Sequence, residues 1–117
     1  MKEHSTLSDD GTRLRFARWN EDGKKDLLII HGLAEHLGRY LHIGQFFADR
    51  GWRVTFVELR GHGESDGKRG HVDMWLRYFE DVQSIMSAVG RPMAILAHSM
   101  GGLVTLHSMM HPLTPTV

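Results

Sequence analysis

The hexapeptide Ala97-His98-Ser99-Met100-Gly101-Gly102 constrains the fold more than any other part of the chain. It lies between an apolar run, Met93-Ala94-Ile95-Leu96, and a stretch of helical character over residues 100–110. A strand, a serine flanked by small residues two positions to either side, and a helix together make a nucleophile elbow. That tight turn presents a serine hydroxyl clear of its neighbours. The small residues here are Ala97 and Gly101. The usual pattern has glycine at both, so Ala97 departs from it by one methyl group.

The rest of the chain repeats the strand-then-helix alternation. Ser8-Asp9-Asp10-Gly11 is a turn signal, and residues 12–19 alternate polar and apolar as a half-exposed strand does. The polar residues 20–25 then turn the chain toward Leu27-Leu28-Ile29-Ile30, which suggests a hairpin-like start. That continuous apolar run predicts a strand buried on both faces. Tyr40, Ile43, Phe46 and Phe47 recur at helical spacing, predicting a helix over residues 37–50 that ends at Gly51. Residues 52–57 read as the next strand, and residues 60–70 hold four glycines and read as loop. Trp75, Tyr78, Phe79, Val82, Ile85, Met86 and Val89 form the strongest amphipathic helical stripe, a core face and not a cofactor site. Arg77, Glu80 and Asp81 are expected on its solvated side. Gly90-Arg91-Pro92 breaks that helix, and Pro112 and Pro115 end the last one, leaving residues 113–117 without expected structure. The order β-β-α-β-α-β-α predicts an α/β fold, a mostly parallel sheet with flanking helices, in a single domain spanning residues 1–117.

Composition removes several functions. Lys and Arg number 14, Asp and Glu number 14, so no net charge draws the chain to nucleic acid or an anionic membrane. There is no cysteine, hence no disulfide and no thiolate metal site. No apolar run approaches the ~18 residues of a spanning helix, and the N-terminus carries no apolar signal core. A soluble, cytoplasmic protein is expected.

Ser99 is the candidate nucleophile. The Met100 N–H, at the start of a helix, is a candidate donor to the oxyanion that forms when a serine attacks an acyl carbon. His31-Gly32-Leu33 ends the first buried strand, where parallel sheets gather their ligands, and the Leu33 N–H is a candidate second donor. His98 adjoins Ser99 and should point elsewhere; His62 and His71 read as structural or exposed, so none supplies the base. His107 and His111 have zinc spacing but no accompanying glutamate, and read as a fraying helix face. No metal and no cofactor are expected.

Three segments then carry a specific resemblance. His31-Gly32-Leu33-Ala34-Glu35-His36 with Gly38-Arg39-Tyr40, the loop Arg60-Gly61-His62-Gly63-Glu64-Ser65-Asp66-Gly67, and the Ala97 to Gly102 turn resemble, in order and spacing, the α/β-hydrolase superfamily. Within it they resemble the monoacylglycerol lipase and lysophospholipase-like branch, of the serine aminopeptidase S33 type. The resemblance implies hydrolysis of a small lipid-like ester through an acyl-serine, with Ser99 as nucleophile and Leu33 and Met100 as oxyanion-hole donors. It also implies an acid, a histidine and a cap on later strands, none of which this sequence contains. The chain therefore reads as the N-terminal half of such a fold, lacking the later strands and cap, whether as a truncated or frameshifted reading frame or a deliberate fragment. It is expected to be marginally stable, self-associated or dependent on a C-terminal half. Two alternatives stand beside this reading: a catalytically inactive fragment or interaction module, and another activity of the superfamily such as peptidase. An epoxide hydrolase is disfavoured, because those resemble this scaffold with Asp where Ser99 stands.

Overall fold

Four apolar residues in a row can all be dry only inside a sheet covered on both faces, and the computed structural model places Leu27-Leu28-Ile29-Ile30 there. The structure describes residues 1–110. Their elements are β1 (Lys2–Leu7), β2 (Arg13–Trp19), β3 (Lys25–Ile30), a 3₁₀ turn (Leu37–Tyr40), α1 (Leu41–Ala48), β4 (Trp52–Val57), α2 (Leu76–Val89), β5 (Ala94–Ala97) and α3 (Met100–Met110). The described strands form one sheet in the order β1-β2-β4-β3-β5. β3 is parallel to both its neighbours, with Ile30 opposite Val57 on one side and Ala97 on the other.

Alternation along the strands divides the core in two. Leu14, Phe16, Leu28 and Ile30 face α2 and α3, packing against Tyr78, Phe79, Val82, Ile85 and Val104. Trp19, Leu27, Ile29, Val54 and Phe56 face the other way, toward Leu37, Tyr40, Ile43 and Phe47 of the 3₁₀ turn and α1. No helix among the described residues is long and apolar enough to cross a membrane.

The structure departs from the sequence expectations in four places. β2 does not pair with β3: it runs antiparallel to β4, with Phe16 opposite Val57 and Trp19 opposite Val54. β4 is as apolar as β3, and a place between β2 and β3 keeps Val54, Phe56 and Val57 all dry. The hairpin at the start of the chain joins β2 instead to β1, a strand the apolar pattern did not announce. β1 reads Lys-Glu-His-Ser-Thr-Leu, and its charged, half-exposed residues suit an outer edge that must not recruit another strand. The helix expected over 37–50 is divided into a 3₁₀ turn and a shorter α1. Asp81 is buried, not solvated, because Arg60 of the glycine-rich loop after β4 folds over it, and Glu80 is buried too, paired with Arg77 of the same helix. The expected chain ending at Pro112 and beyond, with His111, lies outside the described residues.

Candidate active site

Ser99 stands between β5 and α3 in the left-handed region, at φ +55, and is exposed. A non-glycine residue there costs roughly 1–2 kcal/mol, a strain that persists only when its surroundings fix it. They do. On the β5 side, the His98 N–H donates to the Ile30 carbonyl at 3.1 Å. On the α3 side, the Ser99 carbonyl accepts from the N–H groups of Gly102 and Leu103 at 2.9 and 3.2 Å. In a trans peptide the C=O and the next N–H point in opposite directions. Anchoring the Ser99 carbonyl along the helix therefore turns the Met100 N–H outward, and that N–H has no partner among the described residues. Gly101 lets this turn lie against β3: a Cβ there would meet the carbonyl oxygens of His31 at 2.3 Å and Ile30 at 2.6 Å.

The loop after β3 obeys the same logic. The His31 ring is fully buried; its Nδ1 lies 2.7 Å from the Gly32 carbonyl and its Nε2 accepts from the Leu59 N–H at 3.0 Å. Because Nε2 accepts, the proton sits on Nδ1 and donates to Gly32. The Glu35 N–H donates to the same Gly32 carbonyl at 3.3 Å. Two donors on one side of the Gly32–Leu33 peptide aim the Leu33 N–H the other way, and it too is unpartnered among the described residues. The two loops are adjacent, since a Cβ on Gly32 would lie 3.2 Å from the His98 ring and from the His98 carbonyl. Ser99, Leu33 and Met100 thus sit on neighbouring turns at the carboxyl ends of adjacent parallel strands.

Burial pushes the His31 imidazole down to about 4, from an ordinary 6.5. The unfolded chain then binds the extra proton first, so this group's contribution is complete above pH 6.5 and is lost as pH falls toward 4. The loss is on the order of 3 kcal/mol. A ring-proton NMR titration should place the His31 midpoint near 4, with acid unfolding beginning in that window; a midpoint near 6.5 would contradict it.

No base among the described residues reaches the serine, and the Ser99 hydroxyl makes no hydrogen bond with any of them. His62 is buried, 4.7 Å from the His31 ring between centroids, with Nδ1 on the Arg60 carbonyl; His71 is exposed. His107 accepts from the Trp75 indole at 2.9 Å, an interhelical bond that occupies one ring nitrogen. No group of three metal-ligating side chains occurs among the described residues.

The loop after β4 is a latch. Arg60 bonds Asp81 of α2 at 2.7 Å and Asp10 of the β1–β2 turn at 2.6 Å, and this pairing holds Asp10 well below the usual carboxylate range. Glu58, fully buried, accepts from Arg15 and from the N–H groups of Leu37 and Glu64. Arg60 stands in the sequence as the first residue of the family-like loop, whereas Glu58 is not singled out there, although an acid directly after Val57 in an apolar strand is a readable signal.

The family model described as serine aminopeptidase, S33, matches residues 21–115. The chain belongs to that family. It is 36% identical over 107 residues to the monoacylglycerol lipase of Mycolicibacterium smegmatis, covering 86% of this chain and 38% of that protein. An α/β hydrolase from Novosphingobium aromaticivorans superposes with a TM-score of 0.76 at 27% identity, over 95% of this chain and 40% of that one. Epoxide hydrolase VrEH1 from Vigna radiata gives 0.80 at 20% identity over 94% and 35%, a likeness of fold. This α/β-hydrolase chain spans about 38% of the length of its lipase relative.

Proposed function

We propose that Ser99 is the nucleophile of a carboxylic-ester hydrolase acting on monoacylglycerol- or lysophospholipid-like esters. The reaction passes through an acyl-serine, and the N–H groups of Leu33 and Met100 hold the oxyanion. The observation that carries this reading is the exposed, left-handed Ser99 beside two outward N–H groups that have no partner among the described residues. The kinship with a monoacylglycerol lipase supports the substrate class. Attack by Ser99 Oγ on the ester carbonyl forms the C–O bond as the carbonyl π pair moves onto the oxyanion, and the hydroxyl proton passes to a base. Collapse of the oxyanion breaks the ester C–O bond and releases the protonated alcohol, and water then cleaves the acyl-serine to free the acid and the serine. That base and its orienting acid are contributed from outside the described residues. The free edge of β5, bonded only to β3 among the described strands, is where a further parallel strand carrying them would pair.

Incubation of the purified chain with a fluorophosphonate and intact-mass measurement tests the nucleophile. One adduct is expected, mapped to Ser99 and absent from Ser99→Ala. Its rate should climb with pH, since hydroxide must remove the proton where no base among the described residues reaches Ser99. A folded chain that takes up no phosphonate, or a Ser99→Ala chain that still does, overturns the assignment.

A further inference from the structure

Glu35 is the most heavily engaged side chain near the serine turn, and it touches no reacting group. One of its oxygens, Oε1, receives the Gly32 N–H at 2.7 Å, the Tyr40 hydroxyl at 2.7 Å and the His98 Nδ1 at 3.0 Å. The other lies 3.5 Å from the Arg39 guanidinium. An ionised carboxylate only accepts, so His98 must carry its proton on Nδ1 and donate. The three donors come from the loop after β3, the 3₁₀ turn and the serine turn itself. His98 and Glu35 are 63 residues apart in sequence. Gly32 is the residue that admits the carboxylate, because a Cβ there would stand 3.0 Å from Oε1.

We propose that Glu35 is a positioning residue: it clamps the loop bearing the Leu33 N–H to the turn bearing Ser99, fixing the distance between oxyanion donor and nucleophile. The proposal rests on the Ser99 reading above. Its logic is local. The Gly32 N–H and carbonyl are both held within this corner, the N–H by the Glu35 carboxylate and the carbonyl by His31 and the Glu35 amide. With both ends of Gly32 held, the following N–H cannot swing. The Glu35–His98 bond then ties that fixed loop across to the residue preceding Ser99. The carboxyl is held down at about 2, chiefly by the Tyr40 hydroxyl, so the clamp stays charged through neutral pH.

The test compares Glu35→Ala, Glu35→Gln and Tyr40→Phe with the wild-type chain by amide hydrogen exchange and by the rate of Ser99 phosphonylation. In Glu35→Ala the Gly32 amide should exchange about tenfold faster while the β3–β4 ladder amides hold their rates, and Ser99 labelling should slow about tenfold. Glu35→Gln, whose amide oxygen can still accept from Gly32 and Tyr40, should restore most of both. Tyr40→Phe should give an intermediate effect in a fold that keeps Glu35 itself. Uniform loosening of all amides, or labelling at the wild-type rate in Glu35→Ala, overturns the proposal. If Glu35→Ala does not fold, Glu35→Gln and Tyr40→Phe decide: Gly32 exchange and labelling that match wild type in Tyr40→Phe overturn it. If the wild-type chain takes up no phosphonate, the Ser99 reading fails by itself. The Gly32 amide then decides the clamp alone, selective acceleration upholding it and no change overturning it.

Discussion

Gly101→Ala should destabilise the chain by about 3 kcal/mol, while Gly102→Ala, one residue on, should stabilise it by about 0.5–1 kcal/mol. The two glycines share the first turn of α3, and helix propensity alone predicts the same gain for both. Space separates them. A methyl group on Gly101 would meet the His31 oxygen at 2.3 Å and the Ile30 oxygen at 2.6 Å, whereas one on Gly102 would meet nothing within 4 Å. The atoms struck at Gly101 are backbone: Ile30 ends a strand paired on both sides and His31 follows it directly, so neither carbonyl can rotate out of the way. The clash must push α3 off the sheet and with it the turn at Ser99. Chemical denaturation of the pair measures the difference directly. Equal effects would mean that α3 does not dock as closely as described.

Asp81→Ala should produce a loss of similar size, about 3–5 kcal/mol. The Arg60 guanidinium is almost wholly buried, with a side chain 8% exposed, and it bonds the fully buried Asp81 at 2.7 Å. Removing the carboxylate leaves Arg60 a shared contact with Asp10 and Ser8 at the margin of the site. The loss reflects a buried guanidinium left with Asp10 as its one carboxylate, and a buried Arg60 N–H left without its Asp81 acceptor, more than the net worth of the pair. The double substitution Arg60→Met with Asp81→Leu should therefore recover most of it, since packed apolar side chains replace buried ion pairs at little cost. Equilibrium unfolding of the single and double variants decides the point. A double variant as unstable as Asp81→Ala would show that the latch depends on the ion pair itself.

These two sites also show how far the sequence could be read. The turn at Ser99 and the strands before it were legible because apolar runs and small residues at fixed offsets report local conformation. Gly101 is legible as a small residue, although the carbonyls it clears belong to Ile30 at the end of β3 and to His31 just after it. Asp81 was misplaced because a helical stripe sorts residues by type, and the loop covering its polar side begins 21 residues earlier at Arg60. β1 carried too few apolar residues to stand out, and the neighbour of β2 could not be chosen without knowing that β4 inserts between β2 and β3. Glu35 appeared in the sequence as part of a family-like segment. Its engagement with His98 depends on two loops meeting at the ends of adjacent strands, which spacing along the chain does not encode.

The central claim is that residues 1–110 deliver a working nucleophile and its oxyanion donors. It is tested most directly in a chimera in which they replace the matching segment of the Mycolicibacterium smegmatis monoacylglycerol lipase, leaving that protein's remaining length to complete the site. Hydrolysis of a monoacylglycerol ester by the chimera would be measured beside its Ser99→Ala form. Turnover should be measurable in the chimera and fall by about 10³-fold or more when the hydroxyl is removed. A folded chimera without turnover, or turnover that survives Ser99→Ala, would contradict it.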